Sequence, residues 1–159
     1  MTCYTWIDGP LGRMLVAASD DGVRGVWFEE QKYFPVIGAG WREDARHPLT
    51  AAAAEQLREY FDGKRRRFSL PLSPPGTPFQ RRVWAALQRI EYGGTVTYGT
   101  LARQIDSPTA ARAVGAAVGR NPVSVVVPCH RAVGRKGTLT GYAGGLARKR
   151  FLLELEAAR

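Results

Sequence analysis

Cys129 and His130 stand side by side in Pro128-Cys129-His130-Arg131, directly after the apolar run 123–127. A cysteine acts as a nucleophile in its thiolate form, which needs a base or a positive field nearby. His130 can supply the base and Arg131 part of the field. A β-branched run closed by a proline predicts a buried strand that delivers the pair to its tip. On an extended segment adjacent side chains point to opposite sides, so Cys129 and His130 would communicate only through a kink or a bridging water. A carboxylate behind His130 would complete a relay. In the second half of the chain the acidic residues are Glu91, Asp106, Glu154 and Glu156. The last two are favoured, because the glycine-rich loop 141–145 lets the final helix fold back.

Positioning such a pair requires a scaffold, and the rest of the chain predicts one. Residues 4–7, 13–18 and 23–28 are strand-like runs separated by Asp8-Gly9-Pro10-Leu11-Gly12 and Asp20-Asp21-Gly22, so an antiparallel meander is expected. Residues 49–61 are alanine-rich with Leu57, Tyr60 and Phe61 at helical spacing, ending at Asp62-Gly63. Lys64-Arg65-Arg66-Arg67 reads as a solvated linker face, and Ser73-Pro74-Pro75-Gly76 marks a domain boundary. Two domains follow, 1–76 and 77–159. In the second, Thr77 caps a helix with Pro78 at its first position and Gln80 completing a capping box. Val83, Trp84, Leu87 and Ile90 then bury one face of that helix. Residues 97–105 and 109–118 read as two short helices across a three-residue turn, a helix-turn-helix pattern, and residues 146–157 as a last helix. The fold class expected is mixed α/β (α+β).

Composition narrows the function. The chain has 159 residues, 45% of them hydrophobic, and a net charge of +9. Residues 1–77 hold ten Lys/Arg against ten Asp/Glu, whereas residues 78–159 hold thirteen against four, which accounts for the whole excess. A neutral half joined to a basic half predicts a polyanion-binding domain, with phosphate contacts the main source of affinity. No apolar stretch approaches a membrane span, and Met1 to Trp6 lacks a signal-peptide pattern, so a soluble cytoplasmic protein is expected, associated with the nucleoid when on DNA. Two cysteines, Cys3 and Cys129, suggest free thiols rather than a disulfide framework.

The motifs Pro128-Cys129-His130-Arg131, Gly141-Tyr142-Ala143-Gly144-Gly145-Leu146, Ala110-Ala111-Arg112-Ala113-Val114-Gly115 and Asn121-Pro122 together resemble the O6-alkylguanine-DNA alkyltransferases, also called methylated-DNA-protein-cysteine methyltransferases. The resemblance is dense over residues 77–157 and weaker over 1–76. It implies a ribonuclease-H-like N-terminal domain followed by a helical, winged-helix-like domain. The implied activity is irreversible transfer of an alkyl group from O6-alkylguanine, and from O4-alkylthymine, in duplex DNA to Cys129. That reaction runs once per molecule, without a cofactor. By the same resemblance Glu156, His130 and a water draw the proton from Cys129, and Tyr98 rotates the phosphate and donates a proton toward the guanine ring. Arg112 fills the gap left by the flipped base. Asn121 supports the cysteine segment and Tyr142 walls the pocket. The Ala132 carbonyl meets the guanine amino group, and the Ala143 amide meets O6.

Base flipping is required on physical grounds too, since O6 of a paired guanine lies inside the stack. Small residues around Arg112 (Ala110, Ala111, Ala113, Gly115, Ala116, Ala117) suit a narrow groove, while Ser107, Thr109, Gly99 and Arg135 are candidates for DNA backbone contacts. Some relatives hold a structural zinc with two cysteines and two histidines of the N-terminal domain. Here only Cys3 and His47 are available, and Ser19 falls where a second cysteine would be needed, so no metal is expected. A monomer in solution is expected, with cooperative binding along DNA left open. Two other readings are a non-catalytic sensor of alkylated DNA, in which the reactive cysteine would be replaced, and a cysteine hydrolase or redox regulator carried on a helix-turn-helix.

Overall fold

In the computed structural model, residues 1–158 are described, and the chain forms two compact units: 1–75 with 122–126, and 76–121 with 127–159. The chain passes between the units at 75–76. It crosses again on either side of 122–126.

The first unit is a four-stranded sheet in the order β3-β2-β1-β4, with one helix against it. Strands β1 (Thr2–Gly9), β2 (Gly12–Ser19) and β3 (Gly22–Phe28) form the expected antiparallel meander, with a register shift at Ala17/Ala18. The first turn closes on Gly12 at φ +101°, and at Gly22 (φ +156°) a Cβ would lie 2.9 Å from the carbonyl of Pro71. The sequence led to the expectation of an antiparallel sheet, and one strand departs from it: β4 (Trp41–Glu43) pairs with β1 in parallel. Three residues in an irregular glycine-bearing stretch are too short to carry a strand pattern of their own.

Alternation along β1 places Cys3, Thr5 and Ile7 inward, and β2 is buried on both faces from Met14 to Ala18. Helix α1 (Pro48–Phe61) lies on β1, β2 and β3, burying Ala53, Ala54, Leu57 and Tyr60. The opposite face of β2, at Leu15 and Ala17, is covered by Tyr4, Trp6, Trp27, Phe34 and Trp41. His47 caps α1: its Nδ1 accepts from the Leu49 amide at 3.1 Å, while Nε2 meets Asp20 Oδ1 at 3.1 Å.

The run 123–127 is buried as expected, but it is not a strand. It makes a single bridge, Val123 to Val26, with the Val26 amide donating to the Pro122 carbonyl at 2.9 Å, and then turns through Val125 at φ +71°. A short apolar run records burial, and burial alone does not distinguish a strand from a packed turn. Here two prolines bracket the segment and limit its ladder hydrogen bonds.

The second unit begins with Thr77, which closes a capping box with Gln80 at the start of α2 (Pro78–Leu87). Strand β5 (Val96–Thr97) leads into α3 (Tyr98–Gln104), capped by the Thr97 hydroxyl. After residues 105–110 comes α4 (Ala111–Gly119), so the turn is longer than the three residues expected. Asp106 turns it at φ +57°, and Arg82 donates to the Ile105 carbonyl. Trp84 Nε1 donates to the Ala117 carbonyl at 2.8 Å, joining α2 to α4. Strand β6 (Ala132–Val133) pairs in parallel with β5, and α5 (Leu146–Ala157) closes the unit.

Candidate active site

Cys129 lies in a single 3-10 turn, Cys129–Arg131, not on an extended strand. The turn corrects the expectation that His130 points directly away from Cys129, since three residues per turn rotate successive side chains by about a third of a circle. Asn121, just past α4, supports this turn from behind: its Nδ2 donates to the Val127 carbonyl at 2.9 Å, and the Cys129 amide donates to the same carbonyl at 2.7 Å.

Behind the turn lies a buried charge cluster. His130 Nε2 is 2.8 Å from Glu156 Oε2, with both residues essentially sealed from solvent. Arg131 grips the same carboxylate with two bonds, Nε to Oε1 at 2.8 Å and Nη2 to Oε2 at 2.9 Å, and its Nη1 donates to the Ile90 carbonyl at 2.6 Å. The Gly93 amide approaches Glu156 Oε1 at 3.5 Å. A carboxylate held by a guanidinium acts only as an acceptor, so the His130 nitrogen facing it carries the proton. His130 Nδ1 is buried and has no hydrogen-bond partner among the described residues.

Burial pushes the His130 pKa below 6.5; Glu156 opposes that shift, while Arg131 and Lys149 add to it. The imidazole is therefore neutral, with Nδ1 as a free acceptor. Burial likewise pushes the Cys129 thiol above its ordinary 9.0, opposed by the Asn121 side chain, the Lys149 charge and the Tyr142 hydroxyl. At rest the sulfur is a thiol.

Lys149 was not among the residues singled out from the sequence. It is fully buried on α5, donating to the Ala132 carbonyl at 2.6 Å and reaching the Thr140 carbonyl at 3.4 Å. Burial lowers its pKa, and Cys129 opposes the shift. The signal was the spacing Lys149, Leu152, Glu156, which are the buried positions of α5. With two of the three charged, the helix has almost no apolar stripe to read.

The remaining candidates divide into two groups. Tyr98 opens α3 with its hydroxyl 3.0 Å from Thr140 Oγ1, while Tyr142 and Ala143 are half-buried in the glycine loop. The Ala132 carbonyl is the one Lys149 holds; a carbonyl has a second lone pair for another donor. Arg112, Thr109 and Arg135 are exposed and lie outside the cluster around Glu156, and Gly99 sits half-buried in the first turn of α3. Ser107 is half-buried before α4, its hydroxyl 3.5 Å from the Ile105 carbonyl. Neither Ser107 nor Thr109 caps α4, whose N-cap is Ala110 with no side-chain bond. Among the described residues no group of three or more His, Cys, Asp and Glu is arranged to hold a metal ion.

Known proteins place this arrangement in a family. Residues 2–74 match the 6-O-methylguanine DNA methyltransferase ribonuclease-like domain, and residues 78–158 match the DNA binding domain of the same family. The chain belongs to the 6-O-methylguanine DNA methyltransferases. Its activity is the family's: DNA repair by transfer of an alkyl group from methylated DNA to a cysteine of the protein itself. The methylated-DNA–protein-cysteine methyltransferase of Haemophilus influenzae is 44% identical, over 96% of this chain and 85% of that one. The constitutive enzyme of Bacillus subtilis is 42% identical, over 98% and 96%. The crystal structure of the Mycobacterium tuberculosis O6-methylguanine methyltransferase has a TM-score of 0.90 at 45% identity, covering 100% of this chain and 94% of that one. The M. tuberculosis OGT crystallised in complex with DNA has a TM-score of 0.89 at 44% identity, covering 98% and 93%.

Two measurements test the buried cluster. Glu156→Gln keeps the shape but leaves Arg131 buried beside a neutral amide, and should cost about 3–5 kcal/mol in urea unfolding; a loss under about 1 kcal/mol would contradict the central role of this carboxylate. As pH falls, the unfolded chain protonates His130 near 6.5, before the native state does, so stability must drop below that pH. The urea midpoint should fall between about pH 7.5 and pH 5, and His130→Gln should flatten part of the fall; an unchanged slope in the variant would be evidence against a neutral, buried His130.

Proposed function

We propose that Cys129 is the acceptor and that its substrate is O6-alkylguanine, with O4-alkylthymine as a second lesion of the same chemistry, in duplex DNA. The observation that carries this reading is a buried Cys129 next to a neutral His130 whose far nitrogen is pressed against Glu156, leaving Nδ1 as the unused acceptor. A water between the Cys129 thiol and Nδ1 passes the proton inward, and the His130–Glu156 pair receives it. The thiolate attacks the alkyl carbon. A C–S bond forms as the O6–carbon bond breaks, and the guanine oxygen returns to its carbonyl form. Tyr98 supplies a proton to the ring, which makes the base a better leaving group. The atoms balance with base and protein alone, so the reaction calls for no cofactor and runs once per molecule.

The base enters by flipping out of the duplex, at a cost of a few kcal/mol. Arg112, exposed on the second position of α4 among alanines and glycines, is the side chain suited to fill the gap. In the pocket the Ala132 carbonyl faces the guanine amino group, the Ala143 amide faces O6, and Tyr142 forms a wall. Ser107, Thr109, Gly99 and Arg135 contact the DNA backbone. Because a lesion is not a sequence, affinity comes from phosphates, consistent with the whole +9 residing in residues 78–159. We place the protein in the cytoplasm, a monomer in solution. Among the described residues no helix is long and apolar enough to cross a membrane.

Incubation with duplex DNA containing O6-methylguanine should add one methyl mass to the peptide bearing Cys129, stoichiometrically and without turnover; an unmodified Cys129, or more than one equivalent of product, would sink the assignment. Arg112→Ala should slow transfer from duplex DNA at least about 10-fold more than transfer from the free modified base, the scale of one lost bidentate or gap-filling contact. Equal losses on the two substrates would remove the base-flipping role.

A further inference from the structure

Tyr98 has a partner that the proposed mechanism leaves unused. Its hydroxyl lies 3.0 Å from the hydroxyl of Thr140. Both ends of this contact are held. The ring of Tyr98 packs toward α4, with its Cδ1 4.0 Å from where a Cβ on Gly115 would stand. Thr140 is held through its carbonyl by Lys149 Nζ at 3.4 Å, the same ammonium that fixes the Ala132 carbonyl at 2.6 Å. Gly134 makes room for the loop: a Cβ there would lie 2.5 Å from Thr138 Oγ1 and 2.9 Å from Thr140 Cγ2. The loop is further closed by the Gly134 amide donating to the Thr138 carbonyl at 2.8 Å.

A phenol has one proton and two lone pairs. When that proton goes to the leaving base, oxygen becomes negative and can only accept. Thr140 carries a hydroxyl proton at hydrogen-bond distance from it. We propose that Thr140 is a positioning residue for alkyl transfer: its hydroxyl donates to Tyr98 Oη, aims the phenol proton at the base and stabilises the phenolate as that proton leaves. This proposal rests on the reading of Tyr98 as proton donor. In the step, the Tyr98 O–H bond breaks, the proton passes to the guanine ring nitrogen, and the oxygen keeps the electron pair under the Thr140 hydroxyl. Solvent returns a proton to Tyr98 after the base departs. Hydrogen bonds to a charged group are about twice as strong as neutral ones, so the contact gains strength as charge develops and therefore acts on the rate rather than on binding.

The test is single-turnover methyl transfer from duplex DNA containing O6-methylguanine, with duplex affinity measured separately. Thr140→Val, which keeps the branched shape and loses only the hydroxyl, should slow transfer by about 10-fold while leaving affinity within about twofold. Thr140→Ser should restore the wild-type rate. In a Tyr98→Phe background Thr140→Val should have no further effect on rate. A Thr140→Val protein as fast as wild type, a Thr140→Ser protein as slow as Thr140→Val, or an undiminished effect in the Tyr98→Phe background would each overturn the role of Thr140. Tyr98→Phe at the wild-type rate would instead overturn the assignment of Tyr98 as proton donor, and the relay with it.

Discussion

The Glu156 carboxylate is the interaction on which the rest of the site depends. It is buried, and one nitrogen of His130, two of Arg131 and the amide of Gly93 converge on it. An isolated carboxylate in that position would be untenable, and a guanidinium that neutralises it makes it tolerable. Arg131 in turn reaches the Ile90 carbonyl beyond α2. Glu156, near the end of α5, thus ties the final helix to the cysteine turn and to the segment leading to β5. It also sets the chemistry, because it decides which nitrogen of His130 carries a proton and which stays free.

A second cation works by a different route. Among the described residues Lys149 pairs with no carboxylate; it donates to two backbone carbonyls, at Ala132 and Thr140, and faces Cys129 with its charge. Burial disfavours both the ammonium and a thiolate, yet each favours the other's charged form. The two groups are therefore coupled: the lysine lowers the barrier to ionising Cys129 without ionising it at rest. Arg131 could not replace it, since its fork is committed to Glu156.

How much of this was legible depended on whether local chemistry or tertiary context decided each feature. The capping box at Thr77 and Gln80, the meander turns and the limits of α5 are local, and they stand as read. The run 123–127 misled because burial on all sides produces the same apolar string as a core strand, and its lone bridge to Val26 belongs to the first unit. Strand β4 left no pattern because three residues beside β1 need only a partner edge. At the site, Cys129 and His130 were found by residue type, which left Glu154 and Glu156 both open until the family resemblance singled out Glu156, while Lys149 and Thr140 were not found. A lysine in Arg148-Lys149-Arg150 looks like a solvated charge, and a threonine in a loop has no chemical signature until a tyrosine from α3 meets it.

The raised pKa of Cys129 looks at first like a poor design for a nucleophile, but on the proposed reading of Cys129 as an acceptor used once it has a use. A standing thiolate open to stray electrophiles would be spent before it met a lesion. Burial keeps the sulfur protonated and inert, and the free Nδ1 of His130, the Lys149 charge and the Asn121 and Tyr142 side chains stand ready to stabilise the thiolate. In the proposed reaction ionisation waits for an alkylated base to exclude solvent and align the carbon with the sulfur, at which point these fixed groups act on developing charge without reorganising. Arg112, Thr109 and Arg135, the exposed residues proposed to contact DNA, would deliver the lesion without touching that balance, because none of them lies within the buried cluster around Glu156.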